Sequence, residues 1–164
     1  MTIDQVLDAL ATDPDSILHP PCGLPEAPEG VVPPDVLAFY SRCGGAVIGK
    51  NADYPFDVVS PRKFLRANPV IIGDDDESEI SHHWFVIATD GGQQHISIDC
   101  HRDRLGRCYD SFWETHTLRG DSPIIALTFT ELLQRLVEAR GKRLYWIGGD
   151  FAGYGDAYDD EASP

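Results

Sequence analysis

The chain has 164 residues, 42% of them hydrophobic, with 27 acidic against 13 basic side chains and a formal net charge of -14. That length suits a single domain, which can bury about two-thirds of its unfolded surface without needing a metal or a disulfide to hold it. The charge argues against sequence-independent binding to nucleic acid or an anionic membrane, where Lys and Arg must neutralise phosphate, and is compatible with a basic protein partner.

The start, Met1-Thr2-Ile3-Asp4, has no basic segment leading into an apolar one, so no secretory signal is expected. No apolar run reaches the roughly 18 residues of a membrane span. Both readings favour the cytoplasm. Cys22, Cys43, Cys100 and Cys108 are widely spaced without a C-x-x-C pattern, and read as reduced thiols.

Thr2 and Gln5 form a capping-box pattern that opens a helix with Ile3, Val6, Leu7 and Leu10 on one face, ending at Asp13-Pro14. Residues 19 to 34 carry Pro20, Pro21, Pro25, Pro28, Pro33 and Pro34, so they read as an extended connector packed along the surface. Pro34-Asp35-Val36 starts a second helix. Proline is preset for the first turn, and the acid favours the positive end of the helix dipole. Gly44-Gly45 stops it. Ala46-Val47-Ile48 and Phe56 to Val59 read as short strands. Ser60 caps a helical turn, and Val70-Ile71-Ile72-Gly73 reads as a strand or the lead into a loop. Asp74-Asp75-Asp76-Glu77-Ser78-Glu79 is the densest charge run, and reads as a solvated loop.

The chain is organised around Trp84 to Asp99. Trp84 to Ala88 is apolar on both faces, with Trp84, Val86 and Ala88 on one side and Phe85 and Ile87 on the other, as in a central strand. Asp90-Gly91-Gly92 supplies a tight turn. In the returning arm Ile96, Ile98 and Cys100 share one face. His95, Ser97 and Asp99 share the other, which is expected to be wet. After a turn at Asp103 to Gly106, Arg107 to Trp113 adds another strand. Thr128 and Glu131 then cap a closing helix whose core face is Leu132, Leu133, Leu136 and Val137, with Leu127 as a staple, Arg140 in its last turn and Gly141 beyond. Leu144 to Ile147 reads as a short edge strand. The tail from about 150 to 164 is acidic and expected to be mobile, or adhesive through Phe151, Tyr154 and Tyr158. The fold class is therefore α+β: one mainly antiparallel sheet, a central meander, with helices on one face and at the ends.

Chemistry is poorly represented. His95, Asp99 and His101 are a candidate metal set, but His95 and Asp99 stand about 13 Å apart along a strand, too far to share an ion without a bend. A metal-dependent hydrolase built on these three remains one alternative. The Gly148 to Gly155 stretch lacks the lysine and following helix of a phosphate loop. No nucleophile elbow is present. These readings imply no catalytic residues and no cofactor. The acidic loops instead point to protein recognition. The candidate partner-binding residues are Asp74, Asp75, Asp76, Glu77 and Glu79, with Asp99, Asp103 and Tyr54 beside them.

Three blocks also carry a family pattern. Pro33 to Tyr40 running into Gly44-Gly45 resembles the opening signature of the SUKH superfamily. Trp84 to Gly92 with Ile96 to Asp99 is similar to its central hairpin, and Ile125 to Leu133 to its closing helix. The resemblance spans about residues 31 to 140. It implies an α+β fold and a non-catalytic binding domain. Bacterial members are largely immunity proteins that silence a cognate toxin, often a nuclease or deaminase, and eukaryotic relatives include a glucan-synthesis regulator that acts as a binding hub. The expected function is toxin neutralisation, with a basic toxin domain as partner and a regulatory scaffold as the alternative.

Overall fold

In the computed structural model, which describes residues 1–161, seven strands form one antiparallel sheet in the order in which the chain makes them. They are β1 (Ser16–Leu18), β2 (Ala46–Ile48), β3 (Phe56–Val58), β4 (Trp84–Thr89), β5 (His95–Asp99), β6 (Cys108–Asp110) and β7 (Ile124–Ala126). The helices are α1 (Ile3–Thr12), α2 (Pro34–Arg42), α3 (Ala67–Ile72) and α4 (Phe129–Ala139). The α+β reading holds.

Local signals set most helix ends. Thr2 Oγ1 accepts from Gln5 N at 3.2 Å, and Gln5 Oε1 accepts from Thr2 N at 2.8 Å, completing the capping box. Pro34 occupies the first turn of α2. Asp35, beside it, reaches across to accept from Thr130 N at 2.8 Å and Thr130 Oγ1 at 2.9 Å, which ties α2 to the first turn of α4. Helices α1, α2 and α4 pack against one another, with Phe39 edge-on to Phe129 at 5.1 Å. Thr128 caps α4 by accepting from Glu131 N, whereas Glu131 reaches one residue further back, to Leu127 N. Leu127 is exposed.

Three local expectations change. Val70 to Ile72 belong to α3, because Pro69 is tolerated in a first turn and Gly73 ends the helix in the left-handed region at φ 71°. Leu144 to Ile147 form a turn instead of a strand, where Tyr145 donates to Ile125 O at 2.7 Å. Residues 111 to 113 lie beyond the end of β6.

The central pair β4 and β5 is buried on both sides. A β-bulge at Ile87 shifts the register so that Ala88 stands opposite Ile96. Ala88 therefore joins Phe85, which faces Ile98, and leaves the face of Trp84 and Val86. Strict alternation does not foresee this, because an extra residue reverses the phase of all that follows. The other face carries Trp84, Ser97, Asp99 and Tyr109, and it is not wet: Ser97 and Asp99 are both 0% exposed. His116 and Tyr158 cover it, with ring centroids 5.8 and 6.1 Å from Trp84.

The segment from 150 is held in several places. Asp156 accepts from Ser122 N at 2.8 Å, Ile124 N donates to Gly155 O, and Ala157 and Tyr158 are buried. Phe151 and Tyr154 also pack within the chain, Phe151 beneath Arg135 and Tyr154 donating to Glu131. Residues 162 to 164 lie outside the described region.

Candidate partner-binding surface

Asp99 is the first candidate to be reassigned. Its Oδ2 accepts from Tyr109 Oη at 2.7 Å, Arg104 Nε at 2.9 Å and Trp84 Nε1 at 3.1 Å, and its Oδ1 accepts from His101 N at 2.9 Å. All four partners are donors, so the arrangement demands the acceptor-only carboxylate form. Burial pushes this carboxyl up, and Tyr109, the His101 amide and Arg104 pull it back. Trp84 and Tyr109 stack at 4.2 Å around it. Asp99 is thus a buried hub that joins three strands and the Arg102–Arg104 turn, with no surface to offer a partner. Its acceptors are also committed, and His95 stands at the other end of β5, so the candidate metal set does not converge. Among the described residues no group of three His, Cys, Asp or Glu side chains is placed to hold a metal ion.

The acidic loop splits into two kinds of residue. Asp74, Asp76, Glu77 and Glu79 are exposed, whereas Asp75 is half-buried, with 21% of its side chain accessible. Asp75 Oδ2 lies 2.6 Å from His82 Nδ1, and Oδ1 accepts from Asn68 Nδ2 at 3.1 Å. His82 Nε2 faces Glu29 Oε2 at 3.0 Å. With a carboxylate on each ring nitrogen, His82 carries both protons. Burial opposes its charge, but Glu29 and Asp75 outweigh that and raise its pKa. Glu29 is in turn pulled down by His82 and by Arg66, which also donates to Pro28 O at 2.7 Å. The proline-rich connector and the acidic loop are therefore clipped to the same histidine.

Asn68 carries this network inward. Its amide donates to Asp75 and Ser81, leaving Oδ1 to accept from His116 Nε2 at 2.7 Å. His116 is buried, and burial, with a smaller push from His95, lowers its pKa to about 4. Neither His82 nor Asn68 stands out in the sequence as a structural residue. The available signal is a histidine seven positions beyond Asp75, and only folding brings Glu29 to it.

These two histidines give opposite pH dependences. The raised pKa of His82 contributes stability that is complete below about pH 6.5 and is lost as pH rises through its folded value. The lowered pKa of His116 contributes stability present above about pH 6.5 and lost as pH falls towards 4, on the order of 3 kcal/mol in full. The joint contribution of these two histidines to the unfolding free energy is expected to peak near pH 6.5. In urea titrations at several pH values, His116→Gln should flatten the acid side and His82→Gln the alkaline side. Unchanged slopes in both variants would remove this account.

Register places the remaining candidates. Trp84 pairs with Asp99 and Thr89 with His95, so the acidic loop, which leads into Trp84, and Asp103, which follows Asp99, flank one end of the sheet. Asp103 is exposed, and the rings of His82, His83 and His101 run between it and the acidic loop at centroid spacings of 5.2 and 4.9 Å. Tyr54 is exposed too, but it precedes β3, whose Asp57 pairs with Thr89. It therefore sits at the opposite end and does not share a surface with the loop. A cleft of about 800 Å³ is at that opposite end as well, between α1, the β2–β3 turn and the end of α4. Its walls mix Asp13, Asp15 and Asp53 with Arg140 and Lys142, so it presents no single sign of charge.

The exposed acids of the loop and Asp103 thus stand at one end of a helix-backed antiparallel meander. The chain belongs to the SMI1/KNR4 family (SUKH-1), which it matches over residues 30–135. That range lies close to the one marked out by the three sequence blocks. The chain is also 43% identical over 160 residues to the immunity protein YokJ of Bacillus subtilis (strain 168), with 97% of each chain covered. No helix is long and apolar enough to cross a membrane among the described residues.

Proposed function

We propose that this chain is an immunity protein that binds and neutralises a cognate bacterial toxin. The observation that carries the reading is near-full-length identity of 43% to a protein described as an immunity protein. The charge supports a basic toxin of nuclease or deaminase type, because exposed acids at one end of the sheet compete for a surface made to grip nucleic acid and speed encounter. The contact surface is Asp74, Asp76, Glu77 and Glu79, extended towards Asp103, with Asp75 holding the loop in place. The protein acts by binding, in the cytoplasm, without catalysis. In support, burial pushes the thiols of three of the four cysteines, Cys43, Cys100 and Cys108, up, and Ser97 and Ser111 are buried against each other at 2.6 Å.

Co-expression with the toxin genes neighbouring its own is the direct test. Growth should be restored and a stable complex should co-purify. Persistent toxicity with no complex for any neighbouring toxin would end this reading.

A further inference from the structure

Helix α3 carries apolar side chains on its outer side. Ala67, Asn68 and Ile71 are buried, and the helix packs on β4. Val70 and Ile72 are 48% and 44% exposed, and Leu65, just before the helix, is 51% exposed. Leu65 is held in place by its carbonyl, which accepts from Val86 N at 2.9 Å, and by the bridge from Arg66 to Phe85. Single exposed apolar residues are ordinary. Several along one short stretch, rimmed by charge, mark a surface that another molecule covers.

The charges at the two ends of this stretch have opposite signs. At one end, Arg62 and Leu65 line a cleft of about 400 Å³ together with Leu24. At the other, Ile72 and Asp74 line a cleft of about 280 Å³ beside the acidic loop. Helix α3 lies between them, six residues and so about 9 Å long. Arg62, Lys63, Asp74 and Glu77 are all exposed, and none has an ion-pair partner among the described residues. The strip therefore runs from cation through apolar centre to anion. A basic partner would suit one end and meet like charge at the other, and an acidic partner the reverse. A second copy turned by half a turn satisfies both ends at once, because apolar centre meets apolar centre and each basic end meets an acidic one.

We infer that this face pairs two copies of the chain in an isologous dimer. Leu65, Val70 and Ile72 form its centre, and Arg62 and Lys63 of each protomer face Asp74 and Glu77 of the partner subunit. The net charge of -14 repels copies at long range. At 0.15 M salt the Debye length of about 8 Å screens that repulsion and leaves the close pairs. The expected dissociation constant is on the order of 10–100 µM, that of a small transient interface. Asp74 and Glu77 also belong to the proposed toxin surface, so toxin and second copy compete for them, but the self-association does not rest on that reading.

Sedimentation velocity of the full chain alone, at concentrations on either side of that value, should show a mass rising from one chain towards two. Val70→Ser should weaken the dimer about tenfold, since each substitution acts twice in an isologous contact. Arg62→Glu with Lys63→Glu should leave a monomer, and so should Asp74→Lys with Glu77→Lys. These two pairs move the net charge in opposite directions, so bulk repulsion alone would not give the same result for both. All four substitutions in one chain should restore the dimer, because the pairing is re-formed with its signs exchanged. Urea midpoints close to the wild-type value establish that the variants are folded. A wild type that stays monomeric throughout, a dimer indifferent to Val70→Ser and to both charge reversals, or a fourfold variant that stays monomeric would overturn the inference. Co-expression with the toxin reads the immunity function separately: a monomeric wild type that still protects removes the dimer and leaves that function standing, and a dimer that protects against no toxin does the reverse.

Discussion

Asp99→Ala is expected to lower the free energy of unfolding by about 3–5 kcal/mol, enough to leave a domain of ordinary stability barely folded. The cost comes from what stays behind. Arg104, with 15% of its side chain exposed, loses its carboxylate, and the buried Tyr109 hydroxyl and Trp84 indole N–H lose their acceptor. Leaving one member of such a set unpaired is far worse than removing the whole set. Asp99→Asn is expected to do less harm. It keeps the volume and one acceptor oxygen, but points an N–H₂ at either the His101 amide or the three other donors. Urea unfolding at neutral pH, followed by near-UV circular dichroism for the Trp84–Tyr109 stack, measures both. A loss below about 1 kcal/mol in the alanine variant would mean that the carboxylate is not the hub of this face.

The acidic loop should respond in the opposite way, with a large effect on binding and a small one on stability. Asp74→Lys, Glu77→Lys and Glu79→Lys together leave Asp75 on His82 and Asp76 on Ser78. Association with the cognate toxin is expected to slow by about ten- to a hundredfold at low salt, and its salt dependence to shrink. Stability should change by no more than about 0.5 kcal/mol per site. Stopped-flow association at two ionic strengths reads the rate. Asp75→Lys is the informative contrast. It places a cation against His82 and Asn68, so it should destabilise the fold before it affects encounter. If the triple variant associates as fast as the wild type, with the same salt slope, the loop is only solvated and the contact surface is elsewhere.

The sequence made the central strand plain because Trp84 to Ala88 leaves no polar face to turn towards water. It also made α1 and α2 plain, where cap residues and proline act within a few positions. The face of Ser97 and Asp99 was not legible. Alternating polar residues look the same whether water or a buried network satisfies them. What covers them here comes from His116 and Tyr158, in stretches without periodicity. The acidic run was visible as a charge cluster, but not the division of labour within it. That division depends on Glu29 and Asn68, remote in sequence and ordinary in type. Tyr54 was grouped with the acids for its chemistry alone, and the hairpin register parts them.

The strand order carries a consequence for how the protein comes to exist. Each strand hydrogen-bonds to the one made just before it. The sheet can therefore grow by successive short loop closures as the chain emerges from the ribosome, without waiting for a remote segment. The cover of the Trp84 face cannot form on that schedule. It requires Tyr158, which reaches back across the sheet to Trp84 after every strand is in place. A nascent chain would thus lay down its sheet first and seal the face that holds Asp99 only once residue 158 has emerged.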